Sequence, residues 1–271
     1  MKKILIALTF SLSSLQLYAG TCTYTMDATQ AQLDQLDTNY TKFPTIDLAN
    51  QKATVTLPQN LNSQSNLQYA ATSSVAASSQ LGNTTPLIDK PVVANGIVAT
   101  EYEFDVNSLK NNLGSEESII VGFYMIGFSN NKGVVTAILK FGKANSESLS
   151  EPQIQSTEIM AFYNRANSDP VAHYKYYQTP IPTNGKIRIG TYINQSSKQL
   201  GYIFNGVNYG YLSNTLEEPV QSVSFIAIVL PYPGTNTVLA GKMLSAKLIT
   251  NKSQMIFTYP TGTTDICGNA S

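Results

Sequence analysis

The sequence has no tryptophan, a single histidine and two cysteines, and charged residues make up only 13% of it. Each shortage closes off some chemistry. Any Ser–His–Asp or Cys–His system has to use His173. That residue sits in the strand-like run Val171-Ala-His-Tyr-Lys-Tyr-Tyr177, with no nucleophile elbow in view, and reads as a structural histidine. No third or fourth ligand stands near either cysteine, and HExxH, CxxC and Asp-x-Asp-x-Asp-Gly loops are missing, so no motif-based metal site is expected. A calcium ion held by loop carbonyls and scattered aspartates needs no such motif and is not excluded. No glycine-rich loop has phosphate-binding spacing, and no cofactor is expected. Lys+Arg and Asp+Glu both number 17, for a formal net charge of zero. That balance argues against a nucleic-acid partner, which requires a basic face. After the first residues, no stretch reaches the ~18 apolar residues of a membrane span; the longest lies near Ile119–Phe128.

The chain opens Met1-Lys-Lys, followed by the apolar Ile4–Phe10 and by Tyr18-Ala19-Gly20. A charged start, a short apolar region and a small residue at the cleavage point predict a secretory signal peptide over residues 1–19. The protein is thus expected to be exported, to the periplasm, the cell surface or the extracellular space. Cys22 and Cys267 then lie at the two ends of the processed chain, and an even count in an oxidising compartment predicts a disulfide between them.

A helix is expected from Asp27, where Asp27 and Gln30 make a capping-box pattern and Ala28, Ala31 and Leu36 supply an inner face. Ala53–Leu57 reads as a strand. The Asn-, Gln-, Ser- and Thr-rich residues Gln59–Asn83 read as a long flexible loop. Strands then follow one another: Val98–Val106, Ile119–Phe128, Val134–Phe141, Glu158–Tyr163, Ala172–Tyr177, Val207–Leu212, Val223–Leu230, Met243–Thr250 and Met255–Tyr259. The clearest pair is Ile187–Ile193 and Leu200–Phe204, joined by the polar turn Asn194–Gln199 and closed by Asn205-Gly206. Alternation places Ile187, Ile189 and Ile193 on one face with Lys186, Arg188 and Asn194 on the other, and Tyr202 and Phe204 are expected to face the core. The fold class expected is all-β, an antiparallel two-sheet β-sandwich with a short N-terminal helix. Residues 20–90 form an N-terminal segment of the same domain as the sandwich over 91–271.

The runs IRIGTYIN, QLGYIFNG and GKMLSAKLIT, within residues 186–250, resemble the C-terminal half of concanavalin A-like jelly rolls of the laminin-G and SPRY type. The resemblance implies a two-sheet jelly roll with adjacent termini, which agrees with the Cys22–Cys267 link. The whole chain also resembles an uncharacterised family of exported proteins of Acinetobacter-like bacteria, which implies a compartment and no activity.

Two surfaces invite a functional reading. In a strand, Glu101, Glu103 and Asp105 share one face. Some jelly-roll glycoside hydrolases carry alternating carboxylates on one strand, two of them serving as nucleophile and general acid. Their order, with Asp in the middle and Glu at both ends, differs from Glu-Glu-Asp here, and the tryptophan platforms of sugar-cleaving clefts are absent. A solvated strand face is the plainer reading. The second surface is tyrosine, 16 residues in all. Tyr174, Tyr176, Tyr209 and Tyr211 are candidate binding residues, because a flat ring with a polar tip stacks on sugars and protein partners; many strand tyrosines simply reflect β preference. The leading function is a secreted, non-enzymatic binding or adhesion module for a glycan or cell-envelope partner. The alternatives are a glycoside hydrolase or lyase using the acid strand, and a structural or interaction subunit of an envelope assembly.

Overall fold

Runs rich in β-branched and aromatic residues pair into two stacked sheets in the computed structural model, which describes residues 22–78, 89–110, 113–114, 117–129, 132–144, 154–163, 171–178, 180–213, 215–216 and 218–270. Helix α1 (Gln30–Leu36) is followed by β1 (Tyr40–Lys42), β2 (Thr45–Asp47), β3 (Lys52–Thr56), β4 (Gln68–Thr72), α2 (Ser74–Ser78) and β5 (Lys90–Pro91). Long strands come next: β6 (Ile97–Asp105), β7 (Ser118–Ser129), β8 (Lys132–Ala144), β9 (Ile154–Tyr163) and β10 (Val171–Gln178). The chain ends with β11 (Lys186–Asn194), β12 (Gln199–Phe204), β13 (Val207–Tyr211), β14 (Ser222–Tyr232), β15 (Met243–Ile249) and β16 (Thr263–Thr264).

The first sheet runs β1-β4-β14-β7-β8-β9-β10, with β5 on β14. The second runs β13-β12-β11-β6-β15-β3-β2, with β16 on β6. Pairing is antiparallel except for β1 with β4 and β16 with β6. The chain crosses between layers after β1, β3, β5, β6, β10, β13 and β14, giving a two-sheet jelly-roll sandwich. Alternation supplies the core. Tyr102, Phe104, Ile187, Ile189, Tyr202, Phe204 and Leu248 face Val121, Phe123, Phe225 and Ala227 in one buried cluster. Tyr102 and Phe123 meet at 5.4 Å between ring centres, and each large side chain so buried contributes on the order of 2 kcal/mol.

The near-continuous apolar runs of β7 and β14 follow from burial on both faces. On the outer side, Ala70, Ile226 and Ile228 are covered by Leu33 of α1 and Ala77 of α2. The helix begins later than its sequence suggests. Thr29 caps it and forms the box with Gln32, rather than Asp27 with Gln30, so Ala31 points to solvent and Leu33 becomes the buried anchor. Within Gln59–Asn83, Gln68–Thr72 is strand β4, sandwiched between β1 and β14, and Ser74–Ser78 is α2. Ala70 lies under the helices, while Tyr69 and Ala71 face the inner core. The expected strand Met255–Tyr259 is absent: that segment is an extended strap lying across the outer face of the second sheet. Cys22 and Cys267 form a disulfide. Among the described residues, no helix is long and apolar enough to cross a membrane.

Candidate functional site

Beginning with the acid row, β6 lies between β11 and β15, so each carboxylate has a partner on either side. Glu103 stands opposite Arg188 and Lys247, and Asp105 opposite Lys186 and Ser245. Lys186 Nζ lies 3.0 Å from Glu103. Asp105 accepts the N–H of Asn107 at 3.2 Å. The alternation read from sequence is therefore one rail of a cross-strand charge ladder. Glu101 is different, because its neighbour on β11 is Gly190, which leaves a gap above it. The strap fills that gap, and Glu101 is fully buried. Its Oε1 accepts the N–H groups of Ile256 and Phe257, each at 2.9 Å, while Oε2 sits 2.6 Å from Arg188 Nε. Tyr259 donates to the same Oε1 at 3.3 Å, and burial, reinforced by the Glu101 charge, pushes the Tyr259 phenol far up. The row thus presents no open pair of carboxylates flanking a cleft, which a glycosidase needs.

The tyrosines form another arrangement. β10 ends the first sheet and β13 ends the second, on the same side of the sandwich. Across that open side, the Tyr177 and Tyr202 hydroxyls lie 2.8 Å apart. Tyr209 stacks on Tyr202 with centres 5.3 Å apart and planes 8° from parallel, and it touches Tyr177 at 5.0 Å. Desolvation and the neighbouring hydroxyls raise the Tyr177 phenol above its usual range. Tyr209 is 44% exposed, and a Cβ added at Gly206 or Gly210 would meet nothing within 4 Å, so the outer side of the lip is open.

Tyr211, expected to join Tyr209 in one platform, does not. A register shift between Gly201 and Ile203 inserts an extra residue in β13, where Gly210 takes φ +76°. This bulge turns Tyr211 to the outer face, where its ring meets Tyr192 at 5.1 Å and its hydroxyl accepts from Asn194 at 3.1 Å. Tyr174 and Tyr176 lie in β10 opposite Met160 and Glu158, and His173 opposite Ala161; their side chains fall outside the described residues. Sequence reasoning missed Tyr177 as the β10 partner of Tyr209. The available signal was that β10 and β13 are both terminal strands, which only topology reveals.

Two other groupings carry polar chemistry. Asp265 lies beside Cys22 and Cys267, but both sulfurs are committed to the disulfide. The carboxylate accepts from the backbone of Lys252, Cys267 and Asn269, knotting the C-terminus. A cavity of about 300 Å³ at one end of the sandwich is lined by Val92, Ala94, Pro219 and Val220, with Glu218 at its rim. Buried Gln195 sets its walls by bonding Val93 and Val220.

Residues 2–269 match the family described as "Domain of unknown function (DUF4882)". No curated protein matches the chain. Among solved structures, it is similar to a Bacteroides ovatus mixed-linkage glucan GH16 protein in complex with product, at 9% identity over 76% of this chain and 95% of the other, TM-score 0.41. A legume lectin-like domain from Entamoeba histolytica is 9% identical over 76% and 86%, TM-score 0.39. The CBM2 module of the evolved Dit of Lactobacillus casei BL23 phage J-1 is 11% identical over 86% and 91%, TM-score 0.37. What those proteins bind is a property of those proteins.

Proposed function

This chain belongs to the DUF4882 family, and we propose that it is an exported, non-enzymatic binding module that takes a glycan at the tyrosine lip between β10 and β13. The observation that carries the reading is Tyr209, a part-exposed ring backed by a parallel ring, with open space beside Gly206 and the adjoining Gly210. A rigid aromatic plate is a suitable seat for the apolar face of a sugar ring, because little side-chain entropy is lost on binding. Neither Tyr202 nor Tyr177 is free to turn, since their hydroxyls bond each other. Export is supported by the lysine-led apolar start and by the Cys22–Cys267 bond.

The hydrolase alternative draws less support. Glu101 is committed to the strap, and Glu103 lies against two cations. A role as an envelope-assembly subunit draws support from a different feature. β13 ends its sheet with Val207 53% exposed, and unpaired strand edges recruit other chains. Electrophoresis through gels containing soluble polysaccharides tests the primary reading. Retardation by one polysaccharide, lost in Tyr209→Ala, is the expected result. Release of reducing ends that Glu103→Gln abolishes would replace the binding module with a hydrolase.

A further inference from the structure

Residues 251–260 run from the end of β15 across the outer face of the second sheet, held unlike anything beneath them. Met255, Phe257 and Tyr259 pack towards Ala99, Tyr192 and Ile203 but keep part of their surface, and Ile256 between them is 67% exposed. Among the described residues, no backbone–backbone hydrogen bond joins residues 255–259 to the sheet. Attachment runs through side chains instead. Glu101 accepts two successive strap N–H groups, and Arg188 donates to the Gln254 carbonyl at 2.8 Å. Gly190 keeps the seat open: a Cβ there would lie 2.5 Å from the Tyr259 hydroxyl and 2.8 Å from the Phe257 ring.

A buried ion pair adds little net stability over an apolar seam, and its best-attested use is to specify one arrangement. Partly buried apolar contacts without backbone pairing mark a segment that opens at lower cost than the core. We infer that residues 255–259 are a lid, latched by Glu101 and Arg188, over a trough formed by Tyr192, Tyr211 and Ile203. The lid opens as a unit while both sheets stay folded. Its hinges are the turn at Lys252–Gln254, capped by the Asn251 side chain and tied to Asp265, and the turn at Pro260–Thr263; beyond the latter the disulfide fixes the chain.

Native-state hydrogen exchange on the full chain tests this. In the wild type, the amides of Ile256 and Phe257 should exchange at least about tenfold faster than those of β6 and β11, with little dependence on low denaturant. Glu101→Gln, and Arg188→Met as a second unlatching change that keeps the aliphatic stem, should each speed the two strap amides by roughly a further tenfold and leave the sheet amides unchanged. Exchange of the wild-type strap at the rate of the sheet would make it part of the core, and the lid would not exist. A fast strap indifferent to both substitutions would overturn the latch. Should Glu101→Gln fail to fold, the wild-type comparison and Arg188→Met still decide.

Discussion

Phe204 and Tyr209 lie close together at one edge of the second sheet but differ in what they hold up. Phe204 is 3% exposed in the inner layer and packs on Tyr177 at 5.0 Å. Phe204→Ala should cost roughly 3–5 kcal/mol, the range for emptying a large core site, read as a lower midpoint in chemical denaturation. Tyr209→Ala should shift the same midpoint by less than about 1 kcal/mol, since one side of its ring is already wet. A midpoint as low as that of Phe204→Ala would make the ring core rather than surface. The buried phenols make a pH prediction with a definite sign. Burial raises Tyr24 and Tyr102 above their ordinary 10.0, and raises Tyr40 to about 12. Between the unfolded and folded values the native state holds more protons, so their contribution to stability is complete below pH 10 and falls as pH rises beyond it. Alkaline titration should show part of the phenolate absorbance appearing together with unfolding, at a pH above that of free tyrosine. A smooth, single titration near the free value with the fold intact would contradict this burial.

The β12–β13 hairpin concentrates what was legible and what was not. The Asn205-Gly206 turn, with φ of 50° and 77°, was readable because that dipeptide tolerates left-handed backbone, and so was the inward set Leu200, Tyr202 and Phe204. The bulge at Gly210 was not readable, since one extra residue leaves no trace in the alternation while reversing the face of Tyr211. Gly210→Ala should therefore cost about 1 kcal/mol or more, because its φ of +76° is one that L side chains rarely adopt, although the space beside it is empty. Stability equal to or above the wild type would argue against the bulge. The strap misled for a related reason. Met255, Phe257 and Tyr259 alternate towards a sheet surface, and a chain crossing a sheet face has the same period of two as one paired at its edge. β4 escaped because Gln68–Thr72 has one large apolar side chain, Tyr69, and its alanines are buried by what packs on either face, Ala70 under the helices and Ala71 in the inner core.

Over the whole molecule, topology decides what comes together. The two-layer sandwich brings Cys22 to Cys267 across 245 residues of sequence, and closing so long a loop contributes about 5 kcal/mol in the chain-entropy account. Cys22→Ala with Cys267→Ala should lower the denaturation midpoint by a substantial part of that figure; no change would show that the termini are held by Asp265 and its neighbours alone. The same topology sets the ends of both sheets side by side, and that is why Tyr177, which no local pattern marks, meets Tyr202 and Tyr209. It also explains the acid row. The pattern of Glu101, Glu103 and Asp105 was plain in the sequence, but the cations opposite them and the strap above Glu101 come from strands far along the chain. In the proposed function, this assembled lip is a glycan seat. Titration calorimetry of a retained polysaccharide with the wild type, Tyr209→Ala and Tyr232→Ala tests it, Tyr232 being an exposed tyrosine outside the stack. Tyr209→Ala should weaken binding by about tenfold or more, ~1.4 kcal/mol, while Tyr232→Ala leaves it unchanged; equal affinity for wild type and Tyr209→Ala would contradict the proposed seat.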